Sequence, residues 1–170
     1  MACRGICDFQ HYLDDFFFCA PPTSVLASEA LEIAILLCDH LGFPVVPGKV
    51  AGPSTSITFL GIEIDSIKQE LRLPEPKLVQ LLQTLCLWVG RRSTTKRQLQ
   101  SLVGVLNHAA SVVRPGRTFM YNLIDAMSIP KQQHHRVRLN LQCKAHVAWW
   151  LAFMQDWNGV AFLPDLQVGT

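Results

Sequence analysis

The residues with the clearest potential for chemistry are two adjacent carboxylates, Asp14 and Asp15, which stand directly before three phenylalanines at 16–18. Like charges a few ångströms apart repel each other unless a cation lies between them. Oxygen ligands on a tight turn suit Mg²⁺, which keeps several water ligands and is often completed by substrate phosphates. A solvated Asp-Asp turn is the alternative. The phenylalanines favour the metal site, because we expect them to anchor the turn in a core.

The segments around these carboxylates predict a hairpin followed by a helix. Residues 6–19 contain short apolar stretches on both sides of the carboxylates, and a Pro-Pro pair ends the second stretch. Thr23 or Ser24 can then cap a helix whose apolar residues recur at helical spacing until Gly42. We expect this helix to be buried and amphipathic, because charged residues interrupt its apolar window and exclude a membrane span.

The remaining sequence predicts a second hairpin followed by helices. Thr95 and Gln98 have the spacing of a capping box, which marks the start of one helix. The expected elements are strands at 57–64 and 70–73, helices at 74–90, 95–113 and 118–127, a basic connector at 131–138, a helical or mixed segment at 141–157 and a strand at 159–163. This order predicts an α+β fold with a mostly helical second half.

The helix expected from Thr95 has one apolar face and, opposite to it, a small uncharged polar stripe. The stripe consists of Gln100, Gly104, Asn107, His108 and Ser111. Glycine inside a helix costs about 1 kcal/mol relative to alanine, so Gly104 requires a reason. Close approach of a duplex minor groove and close packing of another helix explain it equally well on geometry alone.

Basic residues flank this helix. Arg91, Arg92, Lys96 and Arg97 surround its start, and Arg114 and Arg117 lie at its end, about 30 Å away for a helix of some 20 residues. Such a spread can follow the phosphates of a duplex, although a solvated charged surface is the alternative. A second basic cluster comprises Lys131, His134, His135, Arg136 and Arg138.

The composition of the 170 residues agrees with a folded protein, because 49% are hydrophobic and 16% are charged. The net charge of +2 conceals an asymmetry: residues 1–90 hold 5 basic and 10 acidic side chains, and residues 91–170 hold 10 and 3. This asymmetry is a cue for contact of one half with a polyanion. We expect no membrane partner, because the most apolar window is interrupted by charged residues. The first residues lack a signal-peptide run, so we expect an intracellular protein, cytoplasmic or nuclear and not secreted.

The six cysteines have no repeated spacing. In a chain that is not secreted, we interpret these cysteines as reduced residues of the core. Cys3, Cys7 and His11 lack a fourth ligand at a usual spacing, so we expect no zinc.

The motif Tyr12-Leu13-Asp14-Asp15 resembles the Tyr-x-Asp-Asp motif of retroelement reverse transcriptases. Its context is most similar to retrotransposons of the tyrosine-recombinase (DIRS-like) type or related LTR-type elements. Downstream, residues 99–111 resemble the first long thumb helix, in which His108 stands where some relatives have tryptophan, and residues 114–117 resemble the following turn. A further segment stands where the family has its primer-grip hairpin: Phe59, Leu60, Gly61 and Ile62.

This resemblance implies an RNA-directed DNA polymerase that binds a primer–template duplex of RNA or DNA. Asp14 would be the principal Mg²⁺ ligand with Asp15 in support, Tyr12 and Leu13 would lie beside the primer end, and Gly61 with its neighbours would hold the primer strand. The polar stripe would face the duplex. The resemblance also implies three domains: the C-terminal half of the palm at 1–73, the thumb at 74–130, and the connection with the start of an RNase H-like region at 131–170.

Two-metal phosphoryl transfer requires a further carboxylate from another strand. In the family this residue lies upstream, and Asp8 cannot replace it, because six strand residues separate it from Asp14 by about 20 Å. Asp165 should not be mistaken for the first catalytic residue of RNase H. We therefore expect a fragment, lacking the fingers, half of the palm and RNase H, that does not polymerise alone. A non-catalytic nucleic-acid-binding module and a non-functional retroelement remnant are the alternatives.

Overall fold

The structure, a computed structural model, describes residues 9–22, 24–130, 132–156 and the backbone of 161–162. It confirms the α+β class. The strands are β1 Phe9–Tyr12, β2 Asp15–Phe18, β3 Ser56–Phe59, β4 Ile62–Asp65, β5 Glu70–Arg72, β6 Ser93–Thr95, β7 Arg136–Arg138 and β8 Ala161–Phe162. The α-helices are α1 Leu26–His40, α2 Glu75–Val89, α3 Lys96–Ala109, α4 Tyr121–Ser128 and α5 Leu141–Asp156, and short 3-10 helices cover Pro47–Lys49 and Arg114–Met120.

The chain forms two compact units, Met1–Leu60 and Gly61–Thr170. In the first unit β1 and β2 form the expected antiparallel hairpin, in which Tyr12 pairs with Asp15. No side chain of these two strands is buried, and only Phe17 and Phe18 are half-buried. The expectation that the phenylalanines anchor the turn in a core is therefore wrong in this unit. They form an aromatic surface instead, in which Phe17 stacks on Phe59 with ring centroids 5.1 Å apart.

Helix α1 departs from its prediction at its start and in its burial. Ser24 does not cap it, because its hydroxyl donates to the Pro21 carbonyl at 2.9 Å, and Thr23 lies outside the described residues. Gly42 ends the helix as predicted: it has a φ of +77°, and the next amide donates back to Cys38. Ala30 is the one buried side chain of α1, so the prediction of a buried helix is wrong.

The second unit begins with β4 and β5, an antiparallel pair that β8 extends. The apolar run predicted as one strand at 57–64 is two strands, because Leu60 and Gly61 between β3 and β4 have positive φ values of 49° and 73°. Helix α2 starts after Pro74 and ends at Gly90, as predicted. No helix of the described residues is both long and apolar enough to cross a membrane.

The core of the second unit lies between its helices. Helix α5 packs on α2, and it is helical throughout Leu141–Asp156. Fully buried side chains come from every helix of the unit, and they include Leu81, Leu85, Leu99, Leu102, Leu106, Leu123, Val147, Trp150 and Met154. The segment expected to form a connection therefore shares one core with the expected thumb helices. The domain boundaries themselves stay a prediction.

Helix α3 confirms the capping box, since the Thr95 hydroxyl accepts from the Gln98 amide at 3.2 Å and the Gln98 side chain accepts from the Thr95 amide. It ends at Ala109, four residues before the predicted end, because the amides of Ser111 and Val112 donate to the carbonyls three residues before them and not four. The expected turn at Arg114 to Arg117 lies in a 3-10 helix. Tryptophan packing explains Gly116, where a Cβ would overlap the ring of Trp150.

Strands β6 and β7 form an antiparallel ribbon that no pattern in the sequence predicts. Thr94 and Val137 pair in its centre, and both are buried. Their neighbours Ser93 and Arg138, and Thr95 and Arg136, also pair. The ribbon joins the start of α3 to the segment at 131–138 that is expected to be a basic connector.

Candidate nucleic-acid interface

The carboxylate turn lies at the tip of the β1–β2 hairpin. Leu13 has a φ of 51°, and Asp14 follows it in the turn, whereas Asp15 is the first residue of β2. Tyr12 and Leu13 are 59% and 79% exposed, and both carboxylates are exposed. The structure therefore presents the four residues of the motif together at one accessible tip.

The donor set at this tip suits Mg²⁺ in type and falls short in number. Asp14 and Asp15 supply oxygen ligands, and an exposed position leaves room for the water ligands that Mg²⁺ retains. Within the described parts of the chain, no cluster of three or more metal-ligating side chains is present. Asp8, Cys3 and Cys7 lie outside those parts. Two carboxylates can hold one hydrated ion, which is less than a two-metal reaction requires.

The residues expected to form a primer grip fall in both units. In the first unit Phe59 is half-buried against Phe17, and Leu60 is 43% exposed. In the second unit Gly61 and Ile62 are half-buried, and Ile62 packs against the hydrophobic core.

Gly61 lies under two side chains of the second unit, Lys77 at the start of α2 and His108 on α3. A Cβ at Gly61 would overlap the Lys77 ammonium and would lie 3.3 Å from His108 Nε2. Lys77 Nζ is 3.4 Å from the same nitrogen of His108. The structure thus adds Lys77 to the candidate site. No periodicity or motif in the sequence singles this lysine out.

The polar stripe of α3 occupies the position that its periodicity predicts. Gly104 and Asn107 are exposed, Gln100 and His108 are half-buried, and Ser111 is exposed just after the helix. A Cβ at Gly104 would meet no described atom within 4 Å. The described chain therefore packs no other helix against Gly104, and this alternative explanation of the glycine is wrong here.

The flanking basic residues differ in whether they already interact with other residues of the chain. Arg91 lies over the Trp88 ring, 5.0 Å from its centroid, and Lys96 Nζ donates to the Pro130 carbonyl at 2.8 Å. Arg92, Arg97, Arg114 and Arg117 are exposed. Because α3 has 14 residues, its ends are about 21 Å apart, which is shorter than the predicted 30 Å.

Arg72 is a contrasting case in the same unit, because acidic residues surround it. Its guanidinium lies 2.6 Å from Glu63 and 3.6 Å from Asp65, and the hydrogen bond with Glu63 raises its pKa. Backbone hydrogen bonds, above all from Lys68, lower the pKa of Asp65. This network holds β4 and β5 together and leaves Arg72 neutralised.

Comparisons with known proteins bear on the fold. No protein-family model and no curated protein matches the sequence. Solved structures match in fold, among them a foamy viral protease-reverse transcriptase in complex with double-stranded DNA, with a TM-score of 0.60, and one in complex with an RNA/DNA hybrid, with a TM-score of 0.56. Each is 18% identical to the chain and covers 87% and 86% of it, respectively.

The chain spans about a quarter and a fifth of the lengths of these two neighbours, 24% and 19%. At this identity the match concerns the fold alone. The chain therefore has a reverse-transcriptase-like α+β fold.

Proposed function

We propose that the chain is part of a retrotransposon RNA-directed DNA polymerase, of the tyrosine-recombinase or LTR type, and that its second unit binds the primer–template duplex. The observation that carries this proposal is the free space beside Gly104 in the middle of α3, where the helix backbone is accessible to a ligand. The fold supports it, because the two structural neighbours are complexes with double-stranded DNA and an RNA/DNA hybrid.

In this proposal α3 lies along the minor groove. Gly104 lets the backbone come close, and the amides of Gln100 and Asn107 can both donate and accept hydrogen bonds at base edges and sugars. Lys77 and His108 add positive charge or hydrogen-bond donors beside Gly61. The exposed arginines on both sides of α3 contact phosphates, and each neutralised phosphate releases counterions.

The chemistry of polymerisation belongs to the first unit in this proposal. Asp14 and Asp15 hold Mg²⁺, which would help to stabilise the charge that develops during phosphoryl transfer. Tyr12 and Leu13 lie beside the primer end, and the segment 59–62 holds the primer strand. Two carboxylates do not complete a two-metal site, so we expect the 170-residue chain to bind a duplex without extending a primer.

Duplex binding is tested by fluorescence anisotropy with labelled primed DNA and an RNA/DNA hybrid over a range of salt concentrations. Four exposed arginines predict a slope of log K against log salt of about −4 or steeper, at about −0.9 per phosphate. Arg92→Gln with Arg97→Gln should make the slope shallower by about 2. Lys49→Gln with Lys68→Gln removes the same charge from exposed sites elsewhere and should change it little. Absent or salt-independent binding would contradict the proposal.

The inactivity of the isolated chain is tested by primer extension with Mg²⁺ and all four nucleotides. We expect no extension product. Extension by the wild-type chain that disappears in Asp14→Asn would overturn this expectation, and it would show that the hairpin supplies a complete site.

A further inference from the structure

The β6–β7 ribbon brings together two basic clusters that are separate in the sequence. Ser93 pairs with Arg138 and Thr95 pairs with Arg136, so the second cluster lies beside the start of α3. The Lys96 amide donates to the His135 carbonyl at 3.0 Å, and the Arg97 amide donates to Gln133 at 3.1 Å. These bonds fix the loop before β7 against the first turn of α3.

Arg136 and Arg138 point away from the core on the same face of β7. Val137 between them is 6% exposed and belongs to the core, whereas both arginines are exposed. Alternate strand residues are about 7 Å apart, so the two guanidinium groups form a pair on one surface. Together with Ile129, Pro130, His135 and Val137 they line an open depression of about 480 Å³.

The charge of this pair is not neutralised by the described chain. Residues 91–124 and 126–155 contain no Asp or Glu. Among the described residues, no carboxylate oxygen lies within 4.0 Å of either guanidinium, whereas Arg72 has three such partners. Two exposed arginines at the edge of a cationic surface are suited to phosphate groups, which guanidinium binds in a bidentate manner.

We propose that Arg136 and Arg138 form a second phosphate contact for the duplex that α3 binds. The contact extends the footprint from the polar stripe onto the ribbon, and Arg92 and Arg97 connect the two surfaces. This inference rests on the proposed function, since it assigns further residues to the same partner. It concerns the backbone phosphates and therefore predicts no dependence on base sequence.

The test is the salt dependence of duplex binding by the full chain with Arg136→Gln and Arg138→Gln combined. We expect the slope of log K against log salt to become shallower by about 2, and by about 1 for Arg138→Gln alone. The combined Arg136→Lys and Arg138→Lys variant keeps both charges and should keep the wild-type slope. Lys49→Gln with Lys68→Gln is the control for net charge.

The outcomes separate this inference from the proposed function. Wild-type binding with a slope that the ribbon variants do not change overturns the ribbon contact and leaves α3 as the binding surface. Absence of binding by the wild type overturns both. A loss in the lysine variant as large as in the glutamine variant also contradicts a phosphate contact, because it would show a structural role for the arginines.

Discussion

The two units of this chain differ most in where they place their large apolar side chains. In the second unit Trp150, Leu99 and Leu102 are at most 1% exposed, and they share a core with all the helices of that unit. In the described part of the first unit Ala30 is the one buried hydrophobic residue, and Phe9 and Phe16 are 47% and 52% exposed. The unit that carries the candidate catalytic motif is thus the one with little core.

The two units therefore contribute differently to the stability of the chain and to its proposed chemistry. Burial of apolar surface is the dominant favourable term in folding, so the second unit can supply most of the stability of the chain. Its packed core predicts a cooperative melting transition, which would not be expected of a non-functional remnant that does not fold. The first unit presents exposed carboxylates and aromatic rings on a scaffold that contributes little.

The largest predicted effect is the loss of core packing in the second unit. Trp150→Ala should lower the free energy of unfolding by about 3–5 kcal/mol, because it leaves a cavity at a fully buried site. Phe16→Ala in the first unit should change it by about 0.5 kcal/mol or less. Urea unfolding followed by far-ultraviolet circular dichroism measures this difference, since both units contain α-helices. Equal losses in both variants would contradict the contrast between the units.

Two glycines, one in each unit, test the same contrast between the units with smaller expected changes in stability. Gly116→Ala should destabilise the second unit by about 1–3 kcal/mol, because its Cβ would overlap the Trp150 ring. Gly42→Ala meets no atom within 4 Å, and its cost of about 1–2 kcal/mol comes from the positive φ alone. We expect the first variant to shift the unfolding transition measured by tryptophan fluorescence, since all four tryptophans lie within residues 61–170, and the second to reduce helical circular dichroism without shifting it. A shift caused by Gly42→Ala would show that the two units unfold together.

The stability of the second unit should also depend on pH. Burial lowers the pKa of His146 below its ordinary value of 6.5, and its Nδ1 has no hydrogen-bond partner among the described residues. Asn122 lies 3.2 Å from its Nε2. As the pH falls, His146 is therefore protonated in the unfolded chain before it is protonated in the folded chain. The free energy of unfolding decreases from about pH 6.5 down to the lowered pKa of the folded state. In His146→Gln this decrease should disappear from urea unfolding curves measured between pH 7 and pH 5, and its persistence would contradict the assignment.

Local signals in the sequence predicted much of the second unit. The capping box of Thr95 and Gln98 and the proline and glycine that bound α2 were recognised, because each acts through neighbouring backbone groups. The polar stripe of α3 followed from helical periodicity alone. The β6–β7 ribbon was missed because its strands have three residues each, too few to show an alternating pattern.

Features that depend on tertiary contacts could not be predicted. The apolar spacing of α1 indicated a buried face, yet burial requires a partner surface, and in its own unit the main contact of α1 is with the short strand β2. Lys77 joined the candidate site because α2 and α3 bring it beside His108, 31 positions away in sequence. The spacing of residues within one helix carries no information about contacts between residues of different helices.

The central claim is that a duplex approaches α3 closely at Gly104, and Gly104→Ala tests it most directly. The variant should be more stable by up to about 1 kcal/mol, because alanine favours the helix and its Cβ meets no described atom. It should bind the duplex about tenfold more weakly, because the methyl group would intrude on the groove. Gly90→Ala, at an equally open glycine after α2, is the control and should bind as the wild type does. Unchanged binding by a stabilised Gly104→Ala would contradict the account.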